Sequence, residues 1–184
     1  MRVIAGNLKG RQLKAVPGKS TRPTTDKVKE SVFQVMGPFF DGGKVLDLFA
    51  GSGSLGIEAM SRGMDYGVFV DKHPKAIHII NENLKLLKLD QNSEVYRAEA
   101  HRALKAAAKR ELTFDLIILD PPYGQVNYED ILKAILELNL IRAGGTIYCE
   151  HDLSEKLPGK LQELEAFKED RFGGTIGITI YKAQ

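Results

Sequence analysis

Between Lys44 and Leu119, short apolar runs alternate with longer amphipathic stretches, and this constrains the fold of the 184-residue chain more than any other feature. The pattern predicts strands at 44–49, 67–71, 93–98 and 114–119, separated by helices at 54–62, 74–88 and 100–109. Strands joined through helices pair in parallel, so the expected fold is a doubly wound, mainly parallel α/β sheet. Phe114-Asp115-Leu116-Ile117-Ile118-Leu119 reads as a buried parallel strand. Asn127 caps the next helix, with Glu129 and Asp130 in its first turn, where negative charge suits the helix dipole. A strand at 145–150 and a short helix around 153–163 follow. Strands at 166–172 and 175–182, joined at Gly173-Gly174, then close the chain as an antiparallel hairpin.

Two segments within this alternation carry chemistry. Asp120-Pro121-Pro122-Tyr123 ends the 114–119 strand, and open α/β sheets bind ligands at such carboxyl ends. The corner offers a carboxylate, carbonyls without a competing proline N–H and a flat aromatic face. Those groups suit a planar amine, such as a nucleobase exocyclic nitrogen or an amide. Taken alone, the four residues fit an ordinary proline turn equally well.

The second segment is Val45-Leu46-Asp47-Leu48-Phe49-Ala50-Gly51-Ser52-Gly53-Ser54-Leu55-Gly56, a strand running through a glycine turn into a helix. Its glycine spacing brings the backbone close to a ligand at a helix N-terminus, and a dinucleotide diphosphate is the obvious rival occupant. Asp47 opposes a diphosphate and suits an ammonium group. Asp71, ending the next strand, has the spacing of an acid that grips ribose hydroxyls. A ligand with an amino-acid end and a ribose but no diphosphate is S-adenosylmethionine.

The opening of the chain has a different character. Residues 1–36 hold eight Lys/Arg against Asp26 and Glu30, giving +6 in a chain of net charge +2, so the remainder carries −4. Val3 to Val16 reads as a hairpin around Gly- and Asn-rich turn residues, and its basic side chains suit phosphate tracking. A solvated charged segment is the blander reading. Thr24 or Thr25 caps a helix with Val28, Val32, Val35 and Met36 on one face, and Asp41-Gly42-Gly43 ends the segment. The division expected is a basic appendage at 1–43 and a catalytic domain at 44–184.

Composition narrows the class. With 43% hydrophobic and 27% charged residues the chain is globular, and a single cysteine, Cys149, excludes an internal disulfide. No apolar run approaches membrane-spanning length and the start lacks a signal-peptide core, so the expected location is cytoplasmic. His73, His78, His101 and His151 share no ligand spacing, and no metal is expected. A monomer is the default.

Asp47-Leu48-Phe49-Ala50-Gly51-Ser52-Gly53 resembles the first motif of Rossmann-like methyltransferases. Asp120-Pro121-Pro122-Tyr123 resembles the Asn/Asp-Pro-Pro-Tyr/Phe motif of those acting on exocyclic nitrogen. Arg2-Val3-Ile4-Ala5-Gly6, Gly10-Arg11 and Arg22 to Phe33 are similar to the RsmD-type bacterial 16S ribosomal RNA guanine-N2 methyltransferases, and the likeness spans essentially the whole chain.

The resemblance implies a seven-stranded sheet with an antiparallel strand, which the closing hairpin would supply. It implies S-adenosylmethionine held by Asp47, Phe49, Ala50, Gly51, Gly53, Asp71 and Glu99, the last standing where the family usually has an aspartate on the adenine amino group. Asp120, Pro121, Pro122 and Tyr123 would hold the target amine, with Tyr123 stacked on the base. Arg2, Lys9, Arg11, Lys14, Arg22 and Lys27 would contact the RNA backbone, in a small subunit assembled or in assembly. The rival functions are DNA adenine-N6 methylation, protein-glutamine methylation, and non-catalytic RNA binding on the same fold.

Overall fold

The computed structural model describes residues 1–18 and 25–184. Helix α1 (Asp26–Met36) precedes the alternating unit β1 (Lys44–Asp47), α2 (Ser54–Ser61), β2 (Tyr66–Asp71), α3 (Pro74–Leu86), β3 (Ser93–Arg97), α4 (Ala100–Lys109) and β4 (Phe114–Leu119). Then come α5 (Tyr128–Glu137), β5 (Ile141–Asp152), β6 (Lys160–Leu161), β7 (Leu164–Phe172) and β8 (Ile176–Ala183). One mixed sheet runs β3-β2-β1-β4-β5-β8-β7-β6. Its first five strands are parallel, and β8, β7 and β6 add antiparallel pairs. This is the expected Rossmann-like sheet with its closing hairpin, extended at the edge by the two-residue β6.

Each face has its own core, because successive side chains of a strand point to opposite sides. Val45, Phe69, Leu116, Ile118 and Tyr148 pack with α1, α2 and α3. Leu46, Val68, Ile117, Leu119 and Ile147 pack with α4 and α5. The helix ends follow local chemistry. The Thr25 side chain accepts from Val28 N and caps α1, and Asn127 accepts from Asp130 N and caps α5.

Four expectations change. No helix forms around 153–163, because Pro158 interrupts it after only five residues and the chain turns back through β6. The Pro158 carbonyl instead accepts from Tyr181 Oη at 2.6 Å. Strand β5 begins at Ile141, since that residue pairs with Phe114 across an irregularity at Ala143-Gly144-Gly145. Val35 of α1 is exposed, and Phe33 takes its place in the core. The arms of the opening segment do pair, through an Arg2–Gln12 bridge and bonds from Val3 N to Arg11 O and from Leu13 N to Met1 O, but they form no strand ladder. Arg22, Thr24 and most of the expected 17–23 loop lie outside the described residues.

The described residues before β1 share the core of the sheet domain. Val3, Leu13, Val28 and Phe33 belong to the same buried cluster as Ile57, Met60 and Ile80. A buried ionic knot on α2 holds them there. Glu58 accepts from Ile4 N at 2.9 Å, Ala5 N at 3.0 Å and Arg62 Nε at 2.8 Å, and lies 3.6 Å from Lys29 Nζ. Lys29 also donates to Arg2 O at 2.7 Å, and Arg62 donates to Pro38 O and stacks over the Phe33 ring. Burial pushes the Lys29 ammonium below its usual range, against the opposing pull of Glu58. Lys29 is therefore not part of the basic surface.

Removing one partner of such a knot leaves buried charge uncompensated. E58A is expected to cost roughly 3–5 kcal/mol in denaturant unfolding, with the opening segment losing amide-exchange protection along with α1.

Candidate active site

The site residues stand at the carboxyl end of the sheet because the parallel strands terminate together. Asp47 pairs with Ile118 across β1 and β4, and Ile118 pairs with Tyr148 across β4 and β5. Asp120 and Glu150 directly follow the Leu119–Cys149 pair. Asp47 is only 2% exposed, and its Oδ2 accepts from Gly56 N at 3.0 Å. Burial raises its carboxyl to about 7; the Gly56 bond opposes the rise and the Asp71 charge adds to it. A side chain at Gly56 would meet Phe69 Cε1 at 2.5 Å and Asp47 Oδ2 at 3.1 Å, so only glycine lets α2 approach this closely.

The turn between β1 and α2 is tied on both sides. Gly51 (φ +58°) and Gly53 (φ +84°) take left-handed backbone, which other residues rarely adopt. Gly51 N donates to Asp71 Oδ2 at 2.9 Å, and His73 N donates to Asp71 Oδ1 at 2.9 Å. Ala50 N donates to Val70 O. Phe49 packs against the α4–α5 side. A Cβ at Gly51 would meet no atom within 4 Å, so the turn is open above it. Ser54 Oγ is buried beside the turn with no hydrogen-bond partner among the described residues.

Glu99 caps α4, with Oε1 accepting from His101 N at 3.0 Å and Oε2 from Arg102 N at 3.2 Å. Partial burial alone would raise its carboxyl, but those two bonds hold it below its ordinary range. In the proline corner, Asp120 is partly exposed, Pro121 is buried and Tyr123 is 36% exposed. Burial pushes the Asp120 carboxyl well above its usual range, and the adjoining Glu150 and then Asp47 push it the same way.

The basic residues divide. Lys9 and Lys27 are exposed. Arg2 pairs with Asp26 at 2.9 Å and Lys14 with Glu82 at 3.2 Å, both at the surface. Arg11 donates to Leu86 O at 3.2 Å. The structure thus brings together Asp47, the glycine turn and Asp71 by hydrogen bonds, and sets Asp120 within reach of the Asp47 charge. Glu150, Tyr148, Tyr128 and Ser54 were not expected from the sequence. The one available signal was Glu150, a carboxylate ending a predicted buried strand.

The family described as conserved hypothetical protein 95 matches residues 1–182. The chain belongs to this family, the RsmD type. It is 53% identical to the Bacillus subtilis protein YlbH, whose name carries rRNA methyltransferase as a provisional assignment, over 99% of this chain and 98% of that protein. It is 33% identical to the Haemophilus influenzae protein named ribosomal RNA small subunit methyltransferase D, over 85% of this chain and 81% of that one. Among solved structures, a conserved hypothetical protein of Streptococcus pyogenes superposes with a TM-score of 0.80 at 38% identity, over 85% of this chain and 96% of that one. The family match and the likeness to the Bacillus subtilis relative of this RsmD-type chain take in the opening segment as well as the sheet.

The raised Asp47 carboxyl links stability to pH. The folded protein keeps the proton up to about pH 7 while the unfolded chain releases it near 3.8, so folding is favoured by this group at low pH and loses that contribution as pH rises between the two. The span corresponds to about 4 kcal/mol. Unfolding free energies of wild type and D47N, compared from pH 4 to pH 8, are expected to diverge in the variant's favour as pH rises.

Proposed function

We propose that this chain transfers the methyl group of S-adenosylmethionine to the exocyclic N2 of a guanine in small-subunit ribosomal RNA, presented in an assembled or assembling small subunit. The observation that carries the reading is the Asp120-Pro121-Pro122-Tyr123 corner at the end of β4, beside Asp47 and the β1–α2 glycine turn. Family membership and the names borne by relatives support the substrate class.

The donor set suits the cofactor. A buried carboxylate short of cations fits an ammonium, the open turn at Gly51 fits a close-lying chain, and the unpartnered Ser54 hydroxyl offers a further polar contact. In this reading Asp47 holds the ammonium end, and the backbone of Phe49, Ala50, Gly51 and Gly53 follows the amino-acid part. Asp71 keeps lone pairs for the ribose hydroxyls beyond its two backbone bonds. Glu99 reaches the adenine amino group only while also capping α4.

The bound sulfonium supplies an already activated methyl group. The residues supply orientation: Asp120 and the Pro121 carbonyl each accept an N–H of the guanine amine, and Tyr123 stacks on the base. Their bonds fix the nitrogen lone pair toward the methyl carbon. Residues 1–43 form the RNA-contacting part. Lys9 and Lys27 are exposed for phosphate, with Arg22 a further candidate, and the surface partners of Arg2 and Lys14 are exchanged for phosphate at little cost. Arg11 lies on the same segment.

Two outcomes are expected. With unmodified small subunits and labelled cofactor, D120A retains cofactor binding while transfer falls about 100-fold or more; near-normal transfer would remove Asp120 from the chemistry. Cofactor binding at pH 6 releases close to one proton, because the ammonium favours ionised Asp47, whose carboxyl otherwise holds its proton to about 7. Calorimetry in buffers of different ionisation enthalpy reads that release, affinity rises from pH 6 to pH 8, and D47N abolishes both effects.

A further inference from the structure

The site holds a second acid to which methyl transfer has so far given no task. Glu150 is 6% exposed and stands near the end of β5, directly after the residue that pairs with Leu119. Its Oε1 accepts from Tyr148 Oη at 3.1 Å, and its backbone carbonyl accepts from Tyr128 Oη. The β4–β5 register sets its carboxyl beside that of Asp120, close enough for a hydrogen bond between them. A hydrogen bond between two carboxyls requires a proton between them, since two carboxylates have only acceptors. Tyr148 thus holds the Glu150 carboxyl, and Tyr128 its backbone, against the one acid of the proline corner.

The titratable groups nearest the pair are Asp47 from β1, Tyr148 from β5 and Tyr128 from α5; Cys149 lies on the opposite face of β5, and it and Glu155 act on Tyr128. From β8, Glu150 is opposed by the apolar Ile178. The nearby charges acting on Asp120 are those of Glu150 and Asp47, both acids. Like charges this close repel, so the last proton leaves the pair only above the usual carboxylate range.

We propose that Asp120 and Glu150 act as one carboxyl pair built to share a single proton, and that the proton released by the methylated amine becomes that shared proton. The step balances. The nitrogen lone pair forms the N–CH3 bond as the S–CH3 bond breaks, and the sulfonium becomes a neutral thioether. The nitrogen, now positive, gives one N–H proton to Asp120, and the pair passes from two negative charges to one, the proton then lying between the two carboxyls. The pair later releases that proton to solvent. Asp120 touches the amine; Glu150 is a positioning residue acting through it. A lone exposed carboxylate is a weak proton acceptor near neutral pH, whereas two adjoining carboxylates, whose charges repel, take up one shared proton far more readily. The inference rests on the reading above that an amine nitrogen is methylated, and applies whichever nitrogen that is.

E150Q keeps the shape and the Tyr148 bond but removes the second acid. Carbon-13 carboxyl NMR of the cofactor-free protein follows Asp120 directly, and single-turnover transfer to unmodified small subunits is measured from pH 5 to pH 9. Cofactor affinity, read alongside, checks that the variant is folded. The Asp120 titration and the acid limb of the rate profile are both expected to move to lower pH in E150Q, by about one unit or more. Transfer on the alkaline plateau falls about tenfold or more, because the remaining base is weaker. An Asp120 titration identical in the two proteins overturns the shared proton, and a displaced titration with an unmoved rate profile overturns its catalytic role. Transfer to another nitrogen acceptor with the same shifts overturns the guanine assignment and leaves the pair standing. Absence of transfer to any acceptor overturns the parent reading and the role of the pair with it.

Discussion

Parallel pairing on both sides of β4 is the constraint on which the site depends. Its register against β1 and β5 sets the level at which three strands end, so Asp47, Asp120 and Glu150 come to one region of one sheet edge from widely separated parts of the chain. No turn of sequence could gather them. Once they are gathered, burial and mutual repulsion do the rest, lifting Asp47 to about 7 and driving Asp120 above its usual range. The glycine turn contributes backbone N–H groups, which moderate the charge on Asp47 and Asp71. The same edge thereby holds two kinds of acid. Asp47 is short of a cation, and Asp120 stands beside a second acid, with which it would share a proton in the proposed mechanism.

The opening segment owes its position to a different interaction. Glu58 projects from α2 and gathers two backbone amides and two cations that belong to three separate stretches of chain. A surface loop could carry basic residues equally well, but its geometry relative to the proline corner would then vary. By locking Ile4 and Ala5 to α2, the knot gives Lys9 and Arg11 a fixed platform on the domain that carries Asp47. In the proposed function, binding of an extended RNA and chemistry on one of its bases would be coupled in this way through a rigid body.

The sequence was most legible where structure is local. Helix α4 and strand β4 fall on the expected residues, as do the Asn127 cap and the hairpin at Gly173-Gly174, because each depends on periodicity or on one capping contact. The proline corner and the glycine turn were legible for the same reason, being contiguous. Long-range contacts were not. Lys29 looked like one more surface charge, and only the approach of Glu58, 29 residues on, turns it inward. Glu150 looked like a strand end, and only the β4–β5 register sets it against Asp120. Around 153–163 the charged and apolar residues mimic a helix, but Pro158 and the pairing of Lys160 with Glu165 decide otherwise.

The central claim is the chemical identity of the product, and mass spectrometry of the nucleosides reads it. Small subunits prepared without this activity would be incubated with the protein and isotopically labelled cofactor, and their RNA digested completely. Label recovered as N2-methylguanosine, from one position of the small-subunit RNA, is the expected result. Label recovered in any other nucleoside, or only in ribosomal protein, would contradict the account.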